Sequence, residues 1–322
     1  RGAEPVADGG EEAMSPRGPR KRLTADDYVQ LMPIGTPIDV ALDRAFKKLG
    51  IPRFGGASGR GWSSNAVFMS CPERYHLSTR KSRIDETVEP EGRAVGALFH
   101  AFMALHYFAL IGGDDKFPGV AHPSVADALA TPEQLREAVY DEKANAQWVS
   151  EAWRLFHTYA HRYENDYIEP LAVEHWVEGK HDTARYDLIA RVLPNEAGIV
   201  PGIYNIDHKT AASNNETFRT AWSNDPEFLT QMLVWKEAKL DKLFGPLQGV
   251  LMNGIVKTQT VQFHRLVIPP NWRLVREHDR ELRVSQAEKA VCQATGYWPM
   301  RGRAHGCIFR YGKCEYYEEC AS

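Results

Sequence analysis

Apolar positions recur first at helical spacing and then, past about residue 166, at strand spacing. TPIDVALDRAFKKLG at 36–50 keeps its apolar residues on one helical face, opens on Thr-Pro and stops at Gly50, which predicts an amphipathic helix. WSSNAVFMS at 62–70 predicts a short helix that ends at Cys71, because Pro72 disfavours continuation. RAVGALFHAFMALHYFAL at 93–110 is apolar nearly all round, as in a helix buried on every side; it is too short and too rich in histidine for a membrane span. Two helices with polar faces follow, at 132–143 and 145–165.

The period then changes. EPLAVEHWVEGK (169–180), ARYDLIARVL (184–193) and GIYNIDHKT (202–210) alternate or run apolar over strand lengths, with PNEAG as a turn between the last two. DPEFLTQMLVWKEAKLDKL (225–243) predicts one amphipathic helix capped by Asp225, with Pro226 in its first turn. LQGVLMNGIVKT and TVQFHRLVIPP predict two more strands, and NWRLVREHDRELRVSQAEKAV (271–291) a long charged helix. This order implies an α/β core with an N-terminal helical part folded around it. Residues 1–25, nearly devoid of apolar side chains, are expected to form a disordered tail.

Composition narrows the classes. With 322 residues, 43% hydrophobic and 25% charged, the chain can bury a large core. A net charge of -3 gives no global basic field, so any nucleic-acid surface has to be a local groove. Without a signal-like start or a run long enough to span a bilayer, the expectation is a soluble, intracellular, cytoplasmic protein with no membrane partner. The five cysteines are an odd number, and Cys307, Cys314 and Cys320 crowd the C-terminus. In a reducing compartment such crowding favours metal over disulfides.

The chemistry sits where the core should be. Asp187 in RYDLIARV and Asp207 in YNIDHKT lie on strands joined by one turn, so an antiparallel hairpin brings their carboxylates side by side. Such a pair repels in a dry site unless a cation lies between them, and Mg2+ or Mn2+ suits hard oxygen ligands. Lys209, two residues after Asp207, points to the same face, where it can orient or deprotonate an attacking water. His208 points the other way, leaving its backbone carbonyl as a candidate ligand. An isolated Asp-x-Lys is equally a common surface pair on a hairpin edge. His100, in an apolar helix, needs a hydrogen-bond or metal partner and reads either as a ligand or as a satisfied core histidine. Gln231 and Trp235 share a helical face, either a core edge or a ridge for stacking bases and contacting phosphate.

Taken in order, these residues resemble the PD-(D/E)XK nuclease superfamily, in particular its RecB-like branch. That branch includes iron-sulfur exonucleases of bacterial recombination complexes, CRISPR adaptation and phages. The resemblance runs over about 62–320: Gly96 to His100 matches GxxxH, Asp187 the strand aspartate, Asp207 and Lys209 D/E-x-K, and Gln231 with Trp235 the QxxxY slot. It implies a restriction-endonuclease-like fold, a mixed central sheet flanked by helices. The nuclease core would occupy 166–291, with a helical region at 26–165 and a Cys-rich metal-cluster segment at 292–322 that packs back on Cys71. It further implies a deoxyribonuclease, an exonuclease on DNA ends or single strands. His100, Asp187, Asp207 and the His208 carbonyl would bind Mg2+ or Mn2+, Lys209 would assist the nucleophile, and Gln231 would position Lys209 or the DNA backbone. Cys71 in CPERYHL, with Cys307, Cys314 and Cys320, matches the ligands of a 4Fe-4S cluster, zinc being the alternative.

VLMNGIVKT resembles phage members, and a recombination or helicase partner is in keeping with the branch. Three departures stand out: Trp235 replaces tyrosine, no glutamate follows His100 in HAFMALHY, and Asp207 stands where glutamate is common. The competing reading is a catalytically inactive DNA-end-binding or assembly protein of the same fold. A third is an RNA-directed or structure-specific endonuclease.

Overall fold

The computed structural model describes residues 37–51, 61–80, 91–111, 130–141, 145–212, 221–301, 307–309, 312–314 and 316–321. The tail expected at 1–25 lies outside the described residues. Among the described residues six helices precede the sheet: α1 (Pro37–Leu49), α2 (Trp62–Ser70), α3 (Pro72–Arg80), α4 (Glu91–Ile111), α5 (Pro132–Val139) and α6 (Ala146–Arg162). Strands β1 (Ile168–Glu178), β2 (Thr183–Val192) and β3 (Gly202–Ala211) follow, then α7 (Pro226–Glu237) and α8 (Leu240–Leu243). After β4 (Leu247–Val256) and β5 (Gln262–Ile268) comes α9 (Trp272–Thr295), and the C-terminus holds a two-stranded β6 (Ile308–Phe309) and β7 (Gly312–Lys313) with α10 (Tyr317–Ala321).

The five main strands are ordered β1-β2-β3-β4-β5. Every neighbouring pair is antiparallel except β3 and β4, which run parallel because α7 and α8 carry the chain back across the sheet between them. The result is the mixed sheet flanked by helices that the resemblance implied. One face buries Leu188, Ala190, Ile206 and Leu251 against α1, α4, α5 and α6. The other buries Ile189, Ile203, Val250 and Met252 against α7, α8 and α9. Central β4 is covered on both sides, which is why LQGVLMNGIV reads as a continuous apolar run.

Three boundaries differ from the sequence pattern. Pro72 ends one helix and opens the next, since a first-turn position has no need of the N–H that proline lacks. The helix expected over 225–243 breaks at Lys239, whose left-handed backbone (φ 58°) stops α7 and restarts the chain as α8. Helix α4 reaches 21 residues, and from Gly92 to Ile111 it is long and apolar enough to cross a membrane, contrary to the expectation from length. Within this fold most of that segment is buried, and its all-round apolarity follows from packing on α1, α5, α6 and the sheet.

Gly249 marks the tightest approach in the sheet. Its φ of 149° is open to glycine alone, and a Cβ there would collide with the Ile268 carbonyl on β5. Gly249→Ala is expected to cost about 2–4 kcal/mol, seen as a lower urea midpoint in equilibrium unfolding.

Candidate active site

The β2–β3 ladder runs from Val192–Gly202 to Leu188–Ile206 and stops. Continuing that register would set Asp187 opposite Asp207. The strands part there, and the His208 N–H donates to Asp187 Oδ2 at 3.0 Å in place of a ladder bond. On β3, Asp207 Oδ1 lies 2.9 Å from Lys209 Nζ, and Oδ2 accepts from the Gln231 amide at 3.2 Å. Asn205 donates to Gln231 Oε1 at 2.7 Å, which fixes which end of that amide faces Asp207. Glu227, one turn before Gln231 on α7, accepts from Lys209 Nζ at 3.0 Å. Residues four apart on a helix share a face, so α7 holds the aspartate and the lysine of β3 together.

The opposite layer contributes His100. Helix α4 crosses close to β3 at Gly96, where a Cβ would sit 3.5 Å from Thr210 Oγ1, and one turn later His100 Nδ1 lies 3.2 Å from Asp187 Oδ2. Strand β1 adds Glu174, with backbone φ of 48°, its Oε2 3.0 Å from Arg185 Nε. His100, Glu174 and Asp187 each offer a ligand atom, and the three lie within 4.8 Å of one another, a group able to hold a metal ion. Asp207 is 2% exposed and forms the floor, while Lys209 at 20% and His100 at 28% reach toward solvent.

Residues 62–321 match the PD-(D/E)XK nuclease superfamily. The chain belongs to that superfamily. No curated protein matches it. Membership makes phosphodiester hydrolysis the reaction class and a nucleic acid the substrate, with DNA implied by the nuclease fold. PD-(D/E)XK nucleases usually use Mg2+ or Mn2+, and the imidazole and carboxylates gathered here are chemically suited to such an ion.

The charges at this candidate site are set by burial working against neighbours. Burial raises the Glu174 and Asp207 carboxyls above their usual range, and the carboxylates around them add to the effect. Burial also acts upward on Asp187, but His100, His208 and Lys209 outweigh it and hold that carboxyl low. His100 shows the reciprocal balance: burial alone would lower it, and Asp187, Glu174 and Asp207 lift it to about 8. Burial would also lower Lys209, yet Asp207, Glu227 and Asp187 keep it above the usual lysine range and therefore charged.

Two expected roles change. Trp235 is 0% exposed, packed edge-on against Tyr186 and beside Phe244 in the core, so no face of the indole is open to a base. Gln231 is buried and touches Asp207 rather than Lys209 or an open surface where a DNA backbone would lie; the lysine is held by Glu227 instead. The sequence pattern missed Glu174 because LAVEHWVE alternates like any strand, and missed Glu227 because an acid in a first turn is ordinary helix chemistry. A glutamate facing apolar neighbours was the available signal.

Cys71, just before α3, and Cys307, Cys314 and Cys320 near the C-terminus form no disulfide. Burial, then Glu73, then Cys314, Cys307 and Cys71 push the Cys320 thiol up. Cys292 packs apart from them with Phe68, Tyr75 and Trp298.

His208 points away from the carboxylates, as alternation requires, stacking on Tyr107 at 5.8 Å; among the described residues neither ring nitrogen has a hydrogen-bond partner. Burial lowers it from 6.5 to about 3, so it is neutral in the folded protein. As pH falls below 6.5 the unfolded chain takes up this proton first, and the group lowers stability with acidification. Between about pH 7.5 and about pH 5 the parent is expected to lose about 2 kcal/mol more than His208→Phe, measured by urea unfolding of both proteins.

Proposed function

We propose that the chain is a Mg2+- or Mn2+-dependent deoxyribonuclease of the RecB-like branch, acting as an exonuclease on DNA ends or single strands. One observation carries this reading: Asp187, Asp207 and Lys209 converge where β2 and β3 part, with Lys209 Nζ 2.9 Å from Asp207. A surface Asp-x-Lys pair would not be buried under a helix that supplies both a glutamate and an amide to it. His100, Asp187 and Asp207 would hold the ion, with the His208 carbonyl as a further ligand. A divalent ion, when bound, offsets charge on the scissile phosphate and lowers the pKa of water.

The protein's own groups do the rest. Lys209, kept protonated by Asp207 and Glu227, acts as a fixed cation that orients water and offsets charge on the phosphate in the transition state rather than as a base. Gln231 holds Asp207 through the amide fixed by Asn205. Lys209→Ala is expected to slow cutting of labelled linear and single-stranded DNA by about 10²- to 10³-fold while binding is retained. Absence of cutting by the parent with Mn2+, alongside tight binding, would instead identify a catalytically inactive DNA-end-binding protein. Cutting of circular or hairpin substrates would point to an endonuclease.

The four thiols of Cys71, Cys307, Cys314 and Cys320 support a 4Fe-4S cluster that ties the C-terminal segment to the start of α3 and so restricts the unfolded chain. Protein purified without oxygen is expected to be brown, and Cys71→Ser to lose both iron and thermal stability. Colourless protein with stoichiometric zinc would make it a zinc site.

A further inference from the structure

Glu174 faces Asp187 across the first hairpin. The β1–β2 register pairs Val173 with Leu188 and His175 with Tyr186, which leaves these two carboxylates directly opposed between the flanking rungs. Like charges directly opposite in an antiparallel pair are destabilising, and more so where side chains are only 8% and 10% exposed. The backbone is irregular at the same place. Glu174 sits in the left-handed region, which costs a residue with a Cβ about 1–2 kcal/mol. Core alternation slips there on both strands. Ala184 and Tyr186 face α7 while Leu188 and Ala190 face α4; Val173 faces α4 while Val177 faces α7. A slip of this kind re-aims a side chain.

Arg185 does not account for the arrangement. Its Nε lies 3.0 Å from Glu174 Oε2, close enough to attract, but the buried oxygen has no aligned hydrogen bond. Asp207 Oδ1 is placed alike, 2.9 Å from Lys209 Nζ without an aligned hydrogen bond, although Asp207 Oδ2 accepts from Gln231. We infer that Glu174 is a protein ligand for the divalent ion together with His100 and Asp187, centring the ion between α4 and the first hairpin. This assignment rests on the nuclease reading above. One imidazole nitrogen among the carboxylates makes a mixed set that favours Mn2+ over Mg2+, since imidazole suits transition metals and Mg2+ prefers oxygen alone.

The test is calorimetric titration of the purified chain with MnCl2, run on the parent, on Glu174→Gln and on Glu169→Gln, whose carboxylate pairs with Arg191 elsewhere on the same hairpin. Glu174→Gln is expected to bind Mn2+ at least about tenfold more weakly than the parent, with Glu169→Gln unchanged. Because one of two opposed charges is removed, metal-free Glu174→Gln is also expected to melt no lower than the parent and to gain less stability from Mn2+. A folded Glu174→Gln with Mn2+ affinity within about twofold of the parent overturns the assignment and leaves the nuclease reading standing if the parent binds Mn2+ and cuts DNA. A parent that binds no Mn2+ overturns both. Should Glu174→Gln not fold, Glu174→Asp carries the same comparison: shorter reach at equal charge weakens Mn2+ binding if the carboxylate is a ligand and leaves it unchanged if it serves Arg185 alone.

Discussion

Negative charge held out of water is the constraint around which this molecule is arranged. Glu174, Asp187 and Asp207 are each nine-tenths or more buried, and carboxylates so placed are costly unless neutralised or paired. The groups nearest to them answer that cost unequally: His100 pairs with Asp187 and Lys209 with Gln231 holds Asp207, whereas Arg185 attracts Glu174 without an aligned hydrogen bond. The same cost explains why the ladder ends at Leu188–Ile206. A rung there would close the strands over the carboxylates, whereas their parting frees a backbone N–H to bond Asp187.

Helix α7 turns this local chemistry into a rigid one. Its inner face is buried from Phe228 to Trp235, so Glu227 and Gln231 are carried on an element that cannot shift without opening the core. Tyr186 donates to the Gln231 carbonyl at 2.8 Å and packs against Trp235, tying the helix to β2 immediately beside Asp187. The tryptophan thus serves the site by packing, from behind.

The opposite layer is equally constrained. Behind His208, Tyr107 and Tyr159 share a hydroxyl contact at 3.0 Å, Asn253 donates to Tyr159 at 2.9 Å, and Arg265 bonds Asn253 and pairs with Asp166. This polar seam runs from α4 through α6 to β4 and β5, and it fixes the depth at which α4 presents His100. The two sides of the candidate site are therefore held by separate sets of contacts, α7 with Tyr186 on one and the tyrosine seam on the other.

Periodicity alone disclosed most of the elements. A change from helical to strand spacing survives any tertiary context, because it reflects which side of each element meets the core. The superfamily was legible too, through the resemblance that the order and types of His100, Asp187, Asp207, Lys209 and Gln231 carry. What only the folded molecule decided were relations between positions remote in the chain. Glu174 acquires meaning from a slipped register and a left-handed backbone opposite Asp187, neither of which leaves a mark in LAVEHWVE. Gln231 finds Asp207 instead of Lys209 because α7 packs at one particular height over β3. Trp235 falls inward for the same reason. A one-dimensional pattern fixes which face a side chain occupies, whereas its partner across the fold is set by how those faces stack.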